Sequence, residues 1–529
     1  DPFMSVSHFD IKGGFLLVVA DDPGPHSSQT EQDSRFFAMF AKIPCFDPAT
    51  AVEAKEMVFD AYDLSERHKI VTMLRPGVRV DHCRQDVELK DVIDISRPAS
   101  FEKDPRRWVC LPASVRVNHP QLNAKREAIR EEFETGFSKY NYEVPAKKKA
   151  RLGVIAGGVS FSIVMDILKA WGADDISVLK IGTPHPLPLR MVEDFISRHD
   201  NVVVLEETYP VIEMQLNDRT KIKGRWNGWV PGAGELLPEL IEEILCRVLG
   251  KEAPEGASAE LKKAAEDLNI TPRRPMLCPG CPHRASFFSI RQTLPKAIYP
   301  SDIGCYTLGV NQGMVDAVVD MGASITQASG LFMAYKADGK EQPIVATIGD
   351  STFFHMGLPG LASAVYNKHV FVLAILDNSL TAMTGGQSHP GIGDKLRKGE
   401  TGRRVDLESA VKGCGVNWVK TTEAYDISTS RTLVKEAWDY ARTHEEPAVV
   451  IFRHPCMLLR QKQAVIPVTV DPEKCIGCKF CINFFNCPGL VFDEKSKKAY
   501  IDERFCVKCG VCINVCPHGA ILATEGEEA

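Results

Sequence analysis

Pro343-Ile-Val-Ala-Thr-Ile-Gly-Asp350, Val370-Phe-Val-Leu-Ala-Ile-Leu-Asp-Asn378 and Ala448-Val-Val-Ile-Phe452 are unbroken apolar runs, and the first two end on polar residues. A strand that is apolar at every position is buried on both faces, as happens in a parallel sheet covered by helices. Amphipathic segments between the runs supply those helices, so this part of the chain reads as α/β. The same alternation recurs upstream, in Gly14-Phe-Leu-Leu-Val-Val-Ala20, Gly153-Val-Ile-Ala156, Ile176-Ser-Val-Leu179 and Val202-Val-Val-Leu-Glu-Glu207. The expected fold class is therefore α/β multidomain with parallel sheets, apart from a small α+β unit at the C-terminus.

The chain has 529 residues, 44% hydrophobic and 25% charged, which is too long for one core and sufficient for several. A charged helix near Asn123 to Phe137 leads into the basic run Lys147-Lys-Lys-Ala-Arg151, read as a solvated linker. The expected units are 1–147, 148–250, a linker at 251–274 rich in Ala, Glu, Lys and Pro, 275–457, and 466–529. The chain opens Asp1-Pro-Phe-Met4 with a buried-strand pattern close behind, and an N-terminal piece is expected to be missing. A net charge of −6 without a basic, aromatic-studded stripe argues against nucleic acid as a partner. No apolar run approaches the roughly 18 residues of a membrane span, and no signal peptide pattern is present.

Many of the seventeen cysteines fall in two arrays. One is Cys475-x2-Cys478-x2-Cys481 followed by Cys487-Pro488; the other is Cys506-x2-Cys509-x2-Cys512-x3-Cys516-Pro517. Two-residue gaps let three thiolates converge on one cubane, and the fourth cysteine of each run crosses to the other cluster. Cys475, Cys478, Cys481 and Cys516 are thus expected to hold one 4Fe-4S cluster, and Cys506, Cys509, Cys512 and Cys487 a second. Zinc or redox disulfides are the alternative. The first array carries a small insertion before its fourth cysteine. Such cysteine usage points to a reducing, cytoplasmic setting.

Two clusters form a wire, and a wire needs a donor. Asp350 and Asn378 close neighbouring strands, where ligands of open parallel sheets bind. One carboxylate, one amide oxygen and a backbone carbonyl suit a hard cation that also holds phosphate, and the helix opened by Asp350 offers N–H groups to the same phosphate. By itself the pair could be an ordinary turn and helix cap.

Beyond these patterns, Cys278-Pro-Gly-Cys-Pro-His-Arg284, Ser301-Asp-Ile-Gly-Cys-Tyr-Thr-Leu-Gly309, Met321-Gly-Ala-Ser324, Gly349-Asp-Ser-Thr-Phe-Phe-His355 and Asp377-Asn-x3-Ala-Met-Thr-Gly-Gly-Gln387 resemble the alpha subunits of the indolepyruvate ferredoxin oxidoreductase family. So do Ala20-Asp-Asp-Pro-Gly-Pro-His-Ser-Ser-Gln29, Glu31-Gln-Asp-Ser-Arg35 and Lys180-Ile-Gly-Thr-Pro-His-Pro-Leu-Pro188, so the likeness covers essentially the whole chain. It implies a pyrimidine-binding thiamine domain, a transketolase C-terminal-like domain, a diphosphate-binding domain and a two-cluster ferredoxin domain, in that order. It implies thiamine diphosphate with Mg2+ on Asp350, Asn378 and the Leu380 carbonyl, in a site that includes Gly349, Ser351, Gly322, Thr384 and Gly385. The family's activating glutamate lies upstream of anything matched here. A third 4Fe-4S cluster is expected on Cys278, Cys281, Cys305 and Cys456, the last being its weakest member.

The implied reaction is oxidative decarboxylation of an aryl pyruvate, with coenzyme A taking the acyl group and an external ferredoxin the electrons. A smaller beta subunit, in an α2β2 assembly, is the implied partner. His26, Ser27, Ser28 and Arg35 follow a strand end and are candidate substrate-facing residues, with ordinary loop polarity as the alternative. His355 is a candidate to face the cofactor, or else a buried structural histidine. Glu206 and Glu207 read as structural or interface carboxylates. Rival functions are a non-redox thiamine decarboxylase and a non-catalytic electron-transfer subunit.

Overall fold

The computed structural model describes residues 2–92, 98–254, 256, 258–268, 270, 274–393, 400–459 and 465–524. The chain divides into two compact units, Asp1–Asn269 and Ile270–Ala529.

The first unit holds two sheets. Strands β1 (Leu16–Val18), β2 (Cys45–Phe46) and β3 (Thr72–Leu74) pair in parallel in the order β1-β3-β2. The helix Ala51–His68 starts where the Thr50 side chain accepts the Glu53 N–H, and buries Met57, Ala61 and Leu64 against this sheet. Leu122, Ile129 and Phe133, one face of the helix Pro112–Thr135, complete the core.

The second sheet runs in the order β4-β6-β5-β7-β8, from β4 (Asn141–Val144), β5 (Leu152–Gly157), β6 (Ile176–Ile181), β7 (Val202–Leu205) and β8 (Ile222–Lys223). All pairs are parallel except β4 with β6. This edge strand comes from before residue 148. Helices Gly158–Trp171 and Pro238–Leu249 pack on one face and Leu189–Ser197 on the other. In the segment expected to be a linker, the helix Ala259–Asp267 buries no residue.

Arg35 corrects one expectation. It is not on a substrate-facing loop but fully buried, 2.6 Å from Asp33 and 2.9 Å from Glu206, with a further bond to the Tyr209 carbonyl at 2.9 Å. Glu206 itself accepts the Ile212 and Glu213 N–H groups, and Arg225 Nε donates to its carbonyl. Each nitrogen of Arg35 is engaged inside the protein, so its charge ties the turn before the helix Arg35–Ala41 to the end of β7. Burial alone would weaken Asp33 as an acid, but Arg35 beside it holds its carboxyl far below the usual range.

The second unit is built on a parallel sheet in the order β11-β12-β10-β9, from β9 (Val345–Gly349), β10 (Val372–Asp377), β11 (Val419–Glu423) and β12 (Ala448–Arg453). Helices Ala323–Ala337 and Leu358–Tyr366 cover one face, and Pro282–Thr293 with Ile427–His444 the other. Strand β11, at one edge, buries only Val419 and Thr422. C-terminal to the sheet lie two small antiparallel pairs: β13 (Val468–Val470) with β16 (Ile521–Ala523), and β14 (Leu490–Asp493) with β15 (Lys498–Ile501).

Replacing Arg35 by methionine leaves Asp33 and Glu206 buried without their cation, which costs about 3–5 kcal/mol. Thermal scans followed by limited proteolysis should show cleavage within residues 1–269 at lower temperature in this variant, with the second unit unaffected.

Candidate active site and cluster sites

The carboxyl ends of β9 and β10 open into a cleft of about 210 Å3. Gly349, Asp350, Ser351, Asn378, Leu380 and Thr384 line it together with His283, Cys305, Tyr306, Met321 and Met383. Asp350 starts a short helix that passes into a π-helical turn, Phe353–Gly357. Its Oδ1 accepts the Ser351 N–H and its Oδ2 the Ser379 N–H, both at 2.8 Å. Burial pushes the Asp350 carboxyl up, an effect His389 opposes from 3.1 Å. Asn378 Oδ1 accepts the Leu380 N–H at 3.2 Å, and the amide nitrogen stands 3.2 Å from His283 Nε2. Burial pulls the His283 imidazole down to about 4, so the ring is neutral.

Tyr306 fixes the shape of the wall. Its hydroxyl donates to the Ile303 carbonyl at 2.8 Å and meets Thr352 Oγ1 at 3.2 Å. The ring fits only because Gly304 and Gly349 lack side chains, since a Cβ at either would stand 2.5 Å from Tyr306 Cε1. Gly322, with φ of 92°, donates to Asp302 Oδ1 at 2.6 Å beside the cleft. Gly385 has φ of 121°, which a side chain rarely adopts, and turns the loop that carries Thr384.

Other sequence candidates sit elsewhere. His355 is exposed on the π turn and does not line the cleft. In the first unit His26 is exposed and pairs with Glu235 at 2.8 Å, while the Ser27 and Ser28 N–H groups both bond Asp22. Sequence reasoning missed His283 and His389, although both lie in or next to the quoted motifs; nothing in the spacing shows that they face Asn378 and Asp350.

The cysteines gather in the two crossed sets. Cys475, Cys478, Cys481 and Cys516 line one cavity, and Cys506, Cys509, Cys512 and Cys487 another. Pairing of β13 with β16 carries Cys516 back to the first array. A π-helical turn, Cys481–Phe485, and Asn486 at φ 56° take up the insertion before Cys487. Backbone N–H groups of Ala499, Lys508 and Ala520 point at Cys475, Cys506 and Cys516 Sγ. Among the described residues no three Cys, His, Asp or Glu groups stand close enough for a single metal ion, unlike a preformed zinc site. Cys278, Cys305 and Cys456 are also neighbours: burial first, then Cys456 and Cys278, push the Cys305 thiol up to about 11. Cys281 lies next to Cys278 and lines the cavity of Cys506, Cys509, Cys512 and Cys487.

Known proteins share these features. The family described as thiamine pyrophosphate enzyme, C-terminal TPP binding domain, matches residues 302–452, and the 4Fe-4S dicluster domain family matches residues 460–520. Indolepyruvate oxidoreductase subunit IorA of Pyrococcus horikoshii is 39% identical over 100% of this chain and 85% of its own length. The proteins of the same description from Thermococcus kodakarensis and Archaeoglobus fulgidus are 40% and 39% identical, over 100% and 98% of this chain and 85% and 83% of theirs. The chain belongs to the IorA family. It is a thiamine diphosphate-dependent 2-oxoacid oxidoreductase subunit with an iron–sulfur domain. A 2-oxoglutarate:ferredoxin oxidoreductase from Magnetococcus marinus superposes at a TM-score of 0.30 with 19% identity, over 37% of this chain and 69% of that one, too loosely to add weight.

The donor set of this IorA-family chain fits a magnesium diphosphate: oxygen groups at two strand ends, a helix start behind them, and a buried carboxyl destabilised without a cation. The paired cavities fit cubanes, since each gathers one four-cysteine set, with Cys281 a fifth thiol in the second, and backbone N–H groups point toward sulfur in both.

Asp350→Ala removes one of the two side chains, with Asn378, expected to hold the cation and should abolish thiamine diphosphate retention while the apo chain still folds. Desalting followed by cofactor assay checks this; full retention would place the diphosphate elsewhere.

Proposed function

We propose that the chain is the catalytic subunit of a cytoplasmic enzyme that oxidatively decarboxylates aryl pyruvates of the indolepyruvate kind to aryl-acetyl-coenzyme A. Electrons leave through 4Fe-4S clusters to an external ferredoxin. The observation that carries the reading is that Cys305 lines the same cleft as Asp350 and Asn378. A redox-capable thiol beside the cofactor site favours the oxidative reading over a non-redox decarboxylase. It also disfavours a purely electron-transferring subunit, because the diphosphate-binding side chains are retained.

Bound thiamine diphosphate supplies the electron sink that lets a 2-oxo acid lose carbon dioxide. Asp350, Asn378 and the Leu380 carbonyl hold its Mg2+, and Gly349, Ser351, Gly322, Thr384 and Gly385 shape the loops around it. Met321 and Met383, each about half exposed at 46% and 49%, give the cleft an apolar mouth suited to an aryl side chain. Cys278, Cys281, Cys305 and Cys456 hold a third cluster. What supports it is the mutual influence of Cys278, Cys305 and Cys456 and the bond from the Cys456 N–H to the Asn378 carbonyl at 2.9 Å. His26, Ser27 and Ser28 remain candidates for substrate contact because their loop is exposed; Arg35 and His355 do not. A smaller beta subunit completes an α2β2 enzyme, consistent with relatives described as subunits.

Three measurements test the proposal. The full complex should reduce viologen dyes with indolepyruvate or phenylpyruvate in preference to pyruvate, and only with coenzyme A; equal rates on all 2-oxo acids, or no dye reduction, would overturn it. The chain purified without a partner should be inactive, and full activity from a single-subunit preparation refutes the two-subunit enzyme. Anaerobically purified complex should contain about twelve irons per copy of this chain, provided the partner adds none, at four irons per cluster. A count of about eight, unchanged in Cys278→Ser, eliminates the third cluster.

A further inference from the structure

We propose that two buried histidines, His283 and His389, are positioning residues that hold Asn378 and Asp350, respectively, in the orientation a magnesium ion requires. The inference rests on the assignment of that pair as the metal-binding side chains.

A carboxamide has nearly the same outline either way round, so its neighbours decide which end is oxygen. The Leu380 N–H, which can only donate, stands 3.2 Å from one end of Asn378, and that end is therefore the oxygen. The other end, 3.2 Å from His283 Nε2, is the NH2 group, and the imidazole nitrogen accepts from it. His283 sits on the helix Pro282–Thr293, is 3% exposed and packs edge-on against Tyr306 at 5.9 Å, so the ring cannot swing away. Without this acceptor the amide can rotate and present N–H to the cation. With it, the carbonyl oxygen stays on the side of Leu380, whose own carbonyl is the next oxygen of the site.

Asp350 is set by a parallel device. The Gly391 N–H points at His389 Nδ1 at 3.2 Å, so Nδ1 accepts and the ring proton sits on Nε2. That nitrogen lies 3.1 Å from Asp350 Oδ2, off the line of an ideal bond, and has no other partner among the described residues. His389 has a side chain only 1% exposed. The Ser379 N–H also bonds Oδ2, whereas among the described residues Oδ1 takes the Ser351 N–H alone, which leaves Oδ1 as the oxygen with room for a cation. Partners of this kind around a metal site govern affinity nearly as strongly as the ligands do.

The test is a Mg2+ titration of thiamine diphosphate rebinding to the full complex after EDTA treatment, read as cofactor retained on gel filtration. His283→Leu and His389→Leu should each raise the Mg2+ midpoint by about 10–100-fold, with iron content and apo melting temperature unchanged. His283→Gln, whose amide oxygen can accept, and His389→Gln, whose NH2 can donate, should recover most of the loss. Wild-type midpoints in the leucine variants, or equal impairment in leucine and glutamine variants, overturn the proposal. Should a leucine variant fail to assemble, His283→Asn and His389→Asn, too short to reach, replace it: a raised midpoint supports the proposal and a wild-type midpoint overturns it. Asp350→Ala run in parallel separates the two levels. Loss of cofactor there with normal histidine variants sinks this inference alone, whereas normal binding in Asp350→Ala sinks the site itself.

Discussion

The guanidinium of Arg284 holds the second unit together at the point where its two kinds of chemistry meet. It is 1% exposed and donates to the carbonyls of Leu277 and Cys278 on one side and of Phe485 and Asn486 on the other. A buried cation needs acceptors, and both terminal nitrogens find them in backbone carbonyls flanking two cysteine loops, while Nε has no partner among the described residues. The Phe485 ring packs edge-on to Phe288, one turn further along the helix that carries Arg284. The loop Cys278–Cys281 and the turn before Cys487 are thereby fixed to one helix. Electron transfer between centres falls steeply with distance, so a rigid span of this kind is what a redox chain needs.

That same helix reaches the cleft. Arg284 faces the cysteine cavity while the preceding residue, His283, faces Asn378. Adjacent positions on a helix are about 100° apart, so two successive side chains serve two sites without competing for space. The helix is buried along nearly its whole length, from Pro282 to Ile290.

The parallel sheets, the strand-end pair Asp350 and Asn378, and the crossed cysteine sets were legible because each rests on local rules. Unbroken apolar runs mark doubly covered strands, and thiol spacing follows cubane geometry. Strands β2 and β8 were not legible because two residues carry no pattern, and β11 because Lys420, Thr421, Thr422 and Glu423 leave it no apolar run. The partners of Arg35 and of the two histidines were hidden for another reason. Arg35 meets Glu206 across 171 positions, and His283 meets Asn378 across 95. A sequence motif records which residues are present but not which distant carboxylate will satisfy a charge. Arg35, on a stretch that follows a strand end, looked like a substrate contact, and only its burial against Asp33 and Glu206 shows it to be structural.

The loop after β12 ties the cleft to Cys456. Beyond the end of the sheet, the His454 N–H donates to the Asp377 carbonyl at 3.0 Å and the Cys456 N–H to the Asn378 carbonyl at 2.9 Å, while Arg453 Nε holds Asp377 Oδ2 at 2.6 Å. Strands β10 and β12 are thus zipped together past their last ladder pair, Asp377 with Arg453. The thiol of Cys456 and the amide of Asn378 hang from one hydrogen-bonded backbone strip, so neither can shift without moving the other. A cleft assembled this way cannot relax independently of Cys456, and any change that loosens the strip acts on Asn378 and Cys456 at once.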